Sequence, residues 1–431
     1  MEKRFPYWIA FLMAVNIIFL TADNNIISAV LKQIEIEYKV DSGQIGLMSL
    51  FFSVLGAAVS LVFGYLSDKV NRKKLFAISV LLAEVPCLLS AYAPDFQTFY
   101  VLRILTGLGV GAAFPIVFSM IGDFFDKNQR TLAAAILTTC WGIGGILGIL
   151  VAGYCLGAGY GWRLPFILVA VPNFFLVPLF YFFVPEPRKG AVEAGIGELI
   201  ESGEISYPRS IRFSDYSKLV SLKTNLLLFL QGIFGTIPWG ALILLVKFLT
   251  ETKGFDVNTA TNIYAVFGIG AVLGGILGGI AGGSLFKKKA AYQPLFSSIT
   301  TFIGMLFTVG FVYFIPSDPV LVGLFGLLGA AFATVTGANM RNMLLSTNPP
   351  EDRGAIFSIF NLTDAVGYGI GQFVAGQLAV YLGLTHALGI SFTFWLPCSI
   401  FLFVASLYFG RDVENLDKEM KELGEKSKGV S

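Results

Sequence analysis

Histidine occurs once in this chain of 431 residues, as His386, and cysteine four times, as Cys87, Cys140, Cys155 and Cys398, never in Cys-x-x-Cys spacing. No metal or disulfide pattern follows from so few ligands, and the thiols read as small buried hydrophobes. Charge is scarce too: Asp, Glu, Lys and Arg make up 13% of the residues. A net charge of +2 says little about a partner by itself, and no nucleic-acid partner is expected. A phosphate loop is also missing. The run Gly107-x-Gly109-x-Gly111 follows no strand and lies inside an apolar segment, where it reads as helix packing. The expectation is of a protein that is not an enzyme and holds no cofactor and no metal.

Hydrophobic residues make up 55% of the chain, and apolar runs of about 20 residues recur along it. Twelve membrane-spanning helices are expected, from Tyr7 to Leu31 for the first through Ile356 to Leu382 for the eleventh and Leu388 to Phe409 for the last. His386 then falls in a solvated loop. The start Met-Glu-Lys-Arg leads into an apolar run that ends on Asp23-Asn24-Asn25, too polar for a cleaved signal, and reads as a retained first helix. The longest polar segment, Pro185 to Lys223, marks a boundary. The expected organisation is a helical bundle over 1–184, a linker over 185–223, a second bundle over 224–409 and a charged tail over 410–431.

The two halves carry traces of a repeat, because Arg130, Gly144, Gly148 and Gly153 align without gaps on Arg353, Gly367, Gly371 and Gly376. Other close glycines, such as Gly274, Gly275, Gly278 and Gly279, read as helix-packing positions. Basic residues gather in every second loop, at Lys69 to Lys74, Arg188 and Lys189, Arg209 to Lys223, and Lys287 to Lys289. By the positive-inside rule these loops and both termini face the cytoplasm, in an inner or plasma membrane.

The loop Gly64-Tyr-Leu-Ser-Asp68-Lys69-Val-Asn71-Arg72-Lys73-Lys74 resembles the signature loop of the major facilitator superfamily, with Asn71 where that family usually has Gly. A degraded copy runs from Gly279 to Lys289, with Gly283 in the place of Asp68. The resemblance implies an all-α membrane protein of twelve helices in two pseudo-symmetric six-helix bundles, a secondary transporter with its path between them. It also implies a cytoplasmic latch of Gly64, Asp68, Lys69, Arg72, Lys73, Asp123 and Arg130, in which Asp68 sits at a helix N-terminus and Arg72 pairs with Asp123.

Within that superfamily the chain is most similar to the Spinster group of lysolipid and sphingolipid transporters. The similar stretches are Asp23-Asn24-Asn25-Ile-Ile-Ser-Ala-Val-Leu31, Arg103-Ile-Leu-Thr-Gly107-Leu-Gly109, Trp162-Arg163-Leu-Pro165-Phe166 and Val184-Pro185-Glu186-Pro187-Arg188. Two positions depart from it: Asn24 replaces an Arg and Val110 a Glu, so an opposite-charge pair is missing together. The resemblance implies an amphipathic or lipid substrate, with membrane lipids and protons as the other partners and a monomeric state. A drug or small-metabolite exporter and an uncoupled facilitator or scramblase are the alternatives.

Polar residues in apolar helices are costly and point to function or to pairing. Asp23 lies roughly 12 Å and Arg103 roughly 10 Å from the same face, so the two can meet. Asp23 is the first proton-coupling candidate, Asp364 the second and Glu84 the third. Asn361, Asp364, Tyr368 and Gln372 are three, four and four residues apart and share one helix face. With Asn24, Asn25, Arg103, Gln231, Trp239 and Asn339, the stripe supplies the substrate-cavity candidates. Thr334 belongs with them, whereas Lys247 and Arg341 lie near helix ends and read as snorkelling cations.

Overall fold

The computed structural model describes residues 7–67, 70–124, 127–186, 219–349 and 353–428, and among these every regular element is helical. The first half comprises α1 (Tyr7–Tyr38), α2 (Ser42–Ser67), α3 (Arg72–Ser90), α4 (Phe96–Phe124), α5 (Lys127–Gly157) and α6 (Leu164–Phe183). The second half begins with α7, which runs Lys223–Ala241, tightens into a 3-10 turn at Leu242–Leu244 and resumes as Leu245–Glu251. There follow α8 (Val257–Lys288), α9 (Tyr292–Tyr313), α10 (Pro319–Thr347), α11 (Arg353–Thr393) and α12 (Trp395–Lys428).

Among the described residues ten stretches are long and apolar enough to cross a membrane. One of them, Ile356–Lys418, holds two crossings, and α3 falls outside the set because Arg72, Lys73, Lys74 and Glu84 dilute its apolar character. The break between the last two crossings is a single residue. Gly383 has φ +80°, a left-handed conformation that costs glycine nothing, and the helix resumes directly after it. His386 therefore sits on helix, exposed, with Nδ1 3.2 Å from the Leu382 carbonyl, and not in the expected loop.

Pro238 lies inside α7 and lacks the amide proton that would close the helical bond to the Phe234 carbonyl, one turn before the 3-10 segment. Carbonyls in a loosened helix at membrane depth take other donors. Ser28 Oγ on α1 donates to the Leu242 carbonyl at 3.0 Å, and Trp395 Nε1 donates to the Gly235 carbonyl at 3.0 Å.

Contacts divide the chain into two compact units. The first holds Met1–Pro208 with Leu242–Ala265 and Gln372–Tyr381; the second holds Arg209–Ala241, Val266–Gly371 and Leu382–Ser431. In the first, α1 packs on α5 and α6, α2 on α4, and α3 on α4 and α6. Its interior is filled by Met13, Ile17, Phe76, Val80, Val117 and Phe180, all nearly or fully inaccessible. In the second, α9 packs on α10 and α12, and α12 on α7.

Glycine sets the closest approaches. A side chain at Gly144 would strike Thr21 and the Ile18 carbonyl, and one at Gly148 the Ala22 carbonyl, so α5 lies directly on α1. In the second unit Gly367 faces Thr236 and the Ile233 carbonyl in the same manner, and Gly371 the Ile237 carbonyl. The threonines repeat as well. Thr21 Oγ1 donates to the Ile17 carbonyl and reaches Trp141, while Thr236 Oγ1 donates to the Gly232 and Asp364 carbonyls. Between α2 and α4, Gly56 faces Gly107 and Gly111, and Gly109 turns the other way onto Ala83 of α3.

Candidate functional site

The first unit encloses a charged centre. Arg103 of α4 grips Asp23 of α1 through two parallel bonds, Nη1 to Oδ1 and Nη2 to Oδ2, both 2.7 Å. Both residues are 1% exposed. The Phe52 and Phe166 rings lie 5.3 and 5.4 Å from the guanidinium carbon and exclude water while offering their π faces. A buried ion pair is tolerated only with such close geometry and further bonds to its remaining atoms. One of these comes from Cys87, whose Sγ donates to Asp23 Oδ1 at 3.1 Å, a role beyond that of an apolar filler. Arg103 thus lies in the bundle interior in this structure, paired with Asp23.

One turn along α3 lies Glu84, also 1% exposed. Asn173 of α6 donates from Nδ2 to Glu84 Oε1 and to the Asn16 carbonyl of α1. The other oxygens of this group, Glu84 Oε2, Asn173 Oδ1 and Asn16 Oδ1, are buried and lack a hydrogen-bond partner among the described residues. Sequence reasoning found Glu84 but neither asparagine, although Asn in an apolar helix is itself the signal.

The α11 stripe divides between the units. Asn361 is exposed, Asp364 and Tyr368 are half-buried, and all three belong to the second unit. The Asp364 carboxylate forms no ion pair or hydrogen bond among the described residues, and Gly232 of α7 lies against its Oδ1. Gln372 belongs to the first unit, where it is buried and accepts from Ser53 Oγ at 3.0 Å, so it clamps α2 and does not stand free.

Gln231 donates from Nε2 to Cys398 Sγ at 3.4 Å and leaves Oε1 buried without a partner among the described residues. Trp239 packs edge-on against Phe267 and Trp395. Asn339, at 1% exposure, donates to the Gly278 and Val335 carbonyls and accepts from Gln293 Nε2, locking α8, α9 and α10 together. Thr334 is half-buried and turns its hydroxyl back onto the Ala330 carbonyl. In the first unit Asn24 and Asn25 are half-buried; Asn25 accepts from the Tyr264 hydroxyl at 3.4 Å, and Asn24 Oδ1 has no partner among the described residues.

Of the expected latch, Asp68 and Lys69 lie outside the described residues, as do the side chains of Asp123 and Arg130. Gly64 is half-buried beside Pro115. Arg72, 2% exposed, donates from Nη1 to the carbonyl and hydroxyl oxygens of Ser119. Glu186 completes the arrangement. Its two carboxylate oxygens accept from the amides of Arg72 and Lys73 at 2.8 and 2.9 Å, at the N-terminus of α3 where a negative charge is favoured. Asn71 caps the same helix by accepting from the Lys74 amide, and Lys73 lies 5.0 Å over the Tyr181 ring. The Pro185-Glu186-Pro187 motif carried this signal, but nothing local in it tells which helix end it caps.

At the opposite end of the first unit, Lys247 pairs with Glu35, and Ser42 Oγ bonds to both. The Lys247 and Glu35 side chains are 14% and 12% exposed, so Lys247 is a half-sequestered partner and not a snorkelling cation. Lys32 pairs with Glu251 at 3.2 Å, and Trp162 and Arg163 hold Glu37. Among the described residues no cluster of His, Cys, Asp or Glu could hold a metal ion.

Long apolar helices, paired internal charges and repeated glycine contacts define a multi-pass membrane protein of the transporter type. The chain matches the family model of the Major Facilitator Superfamily over residues 13–371 and belongs to that family. It is a membrane transporter rather than an enzyme. Its fold is similar to the crystal structure of a bacterial homolog of the human lysosomal transporter Spinster in an inward-facing, unoccupied conformation, with a TM-score of 0.81 and 17% identity, covering 96% of this chain and 99% of the other. By sequence it is similar to the benzoate transport protein of Acinetobacter baylyi, 28% identical over 183 residues, 41% of this chain. The niacin transporter of the same organism is 24% identical over 175 residues, 40% of this chain. The matched parts span 38% and 39% of the length of these two relatives.

Proposed function

We propose that the chain is a proton-coupled secondary transporter of an amphipathic organic solute, in the first instance a small aromatic or unsaturated carboxylate. The observation that carries this reading is Asp364, a half-buried acid on the α11 stripe whose carboxylate makes no hydrogen bond or ion pair among the described residues, with Arg341 of α10 the cation that acts on it. Asn361 and Tyr368 share its face, and Gln231 and Trp239 on α7 supply a further carbonyl oxygen and an aromatic surface. A solute carboxylate entering near Asp364 brings a second negative charge, and one shared proton relieves the repulsion. Asp23, the first candidate by sequence, is occupied by Arg103, so it acts in coupling only if the two separate during the cycle.

The class of solute is supported by relatives named for benzoate and niacin transport. A lysolipid is the second reading, favoured by the Spinster-like motifs at Asp23 and Arg103. In the same proposal both termini face the cytoplasm of an inner or plasma membrane, and the protein works as a monomer of two bundles, 1–184 and 224–409. The loop from Gly64 to Lys74, with Asp123 and Arg130, acts as the cytoplasmic latch.

Proteoliposome uptake tests the substrate class. Labelled benzoate and nicotinate should enter, and each should compete with the other. Entry of labelled lysophosphatidylcholine with no flux of either acid would replace the first reading by the second.

A further inference from the structure

Glu84 and Asn173 present two planar groups of the same shape, a carboxyl and a carboxamide, joined by one hydrogen bond from Asn173 Nδ2 to Glu84 Oε1. The remaining oxygen on each, Glu84 Oε2 and Asn173 Oδ1, is buried with no donor among the described residues. One proton shared between these two joined groups would satisfy both leftover acceptors at once. We propose that Glu84 and Asn173 form a proton-binding site in the interior of the first bundle, in which Glu84 Oε2 carries the proton and donates it to Asn173 Oδ1, closing an acid–amide ring of paired hydrogen bonds.

Electrostatics and packing point the same way. The titratable groups that act on Glu84 are Asp23 from α1, Arg103 from α4 and Cys87 from α3 itself, while α6 contributes Asn173. Asp23 and Arg103 neutralise each other through their paired bonds, so an ionised Glu84 would leave one uncompensated negative charge in the bundle. Such a charge is strongly disfavoured away from water, and one proton removes it. The cluster is enclosed, with Asn16 and Asn173 at 0% exposure, so a proton there exchanges with water only when α1, α3 and α6 shift. Orphaned buried acceptors are rare in native structures and call for a donor.

The site's existence does not rest on the proposed transport function; only its use in coupling does. Infrared difference spectroscopy of the purified full-length protein, taken across a rise in pH, reads it without substrate. Wild type should show a protonated-carboxyl band that disappears in alkali, and Glu84→Gln should lose that band. Because Gln reproduces the closed ring with its own amide, the Glu84→Gln protein should also lose the component of melting temperature that falls as pH rises in wild type. Asn173→Leu removes the ring partner and should shift the band to higher wavenumber, where a carboxyl without hydrogen-bond partners absorbs. A band unchanged in both variants overturns the proposal. A band lost in Glu84→Gln, in a protein whose uptake ignores an imposed pH gradient, keeps the site and removes the coupling reading instead.

Discussion

Gly148 on α5 and Gly371 on α11 occupy equivalent places, the one against the Ala22 carbonyl of α1 and the other against the Ile237 carbonyl of α7. Each lets two helix backbones touch where any side chain would push them apart. The equivalence extends one turn back, to Gly144 over Ile18 and Gly367 over Ile233. Overpacking at such contacts typically costs about 1–3 kcal/mol and can exceed it where only backbone is in the way. Gly148→Val and Gly371→Val should each lower the melting temperature in detergent and the folded yield. Gly283, inside α8 with nothing within 4 Å of an added methyl group, is the control, and Gly283→Ala should lower neither.

The Asp23–Arg103 pair gives a second test. Removing one member of a buried pair leaves the other charge unmatched, at a cost of about 3–5 kcal/mol. Asp23→Asn and Arg103→Gln should each destabilise strongly, and the double variant should be more stable than the sum of the two effects. Additive effects in melting experiments would show that the two side chains are not coupled.

Glu186 caps α3 through the amides of Arg72 and Lys73. Loss of such a cap costs about 0.5–2 kcal/mol. Glu186→Ala should lower thermal stability by that order, and Glu186→Gln should recover part of it because its carbonyl still accepts. Equal losses in both variants would assign the effect to charge alone.

Glu35, Lys247 and Ser42 fasten α1 and α2 to the last turns of α7. Glu35→Gln should raise the labelling rate of a cysteine placed at Thr250 by a few-fold, and exchanging the charges, Glu35→Lys with Lys247→Glu, should bring it back towards wild type. A labelling rate indifferent to all three changes would exclude the pair as a fastening.

The helical membrane fold was legible in the sequence because hydrocarbon permits so few backbone solutions, and a run of apolar residues between charged loops is nearly sufficient to specify one. The kinship of the two halves was legible in the repeated glycine spacing, as at Gly144 and Gly367, but which helix each glycine meets was not. The site was less legible. Asp23 and Arg103 could be placed at one depth, but whether they faced a path or the bundle interior depended on Phe52 and Phe166, which come from other helices. Asn339 and Gln372 looked alike as polar residues in apolar helices, and only packing shows that both are spent on clamping neighbours. Glu186 with Arg72, and Glu84 with Asn173, join residues more than 80 positions apart, a separation at which one sequence carries no pairing signal.

The central claim is that solute flux through this transporter is tied to proton flux. The most direct measurement is uptake of labelled benzoate or nicotinate into proteoliposomes under an imposed pH gradient, for wild type and Asp364→Asn. The account predicts accumulation above the equilibrium level in wild type that collapses when the gradient is dissipated, and equilibration without accumulation in Asp364→Asn. Wild-type uptake that only equilibrates, at the same level with and without the gradient, would contradict it.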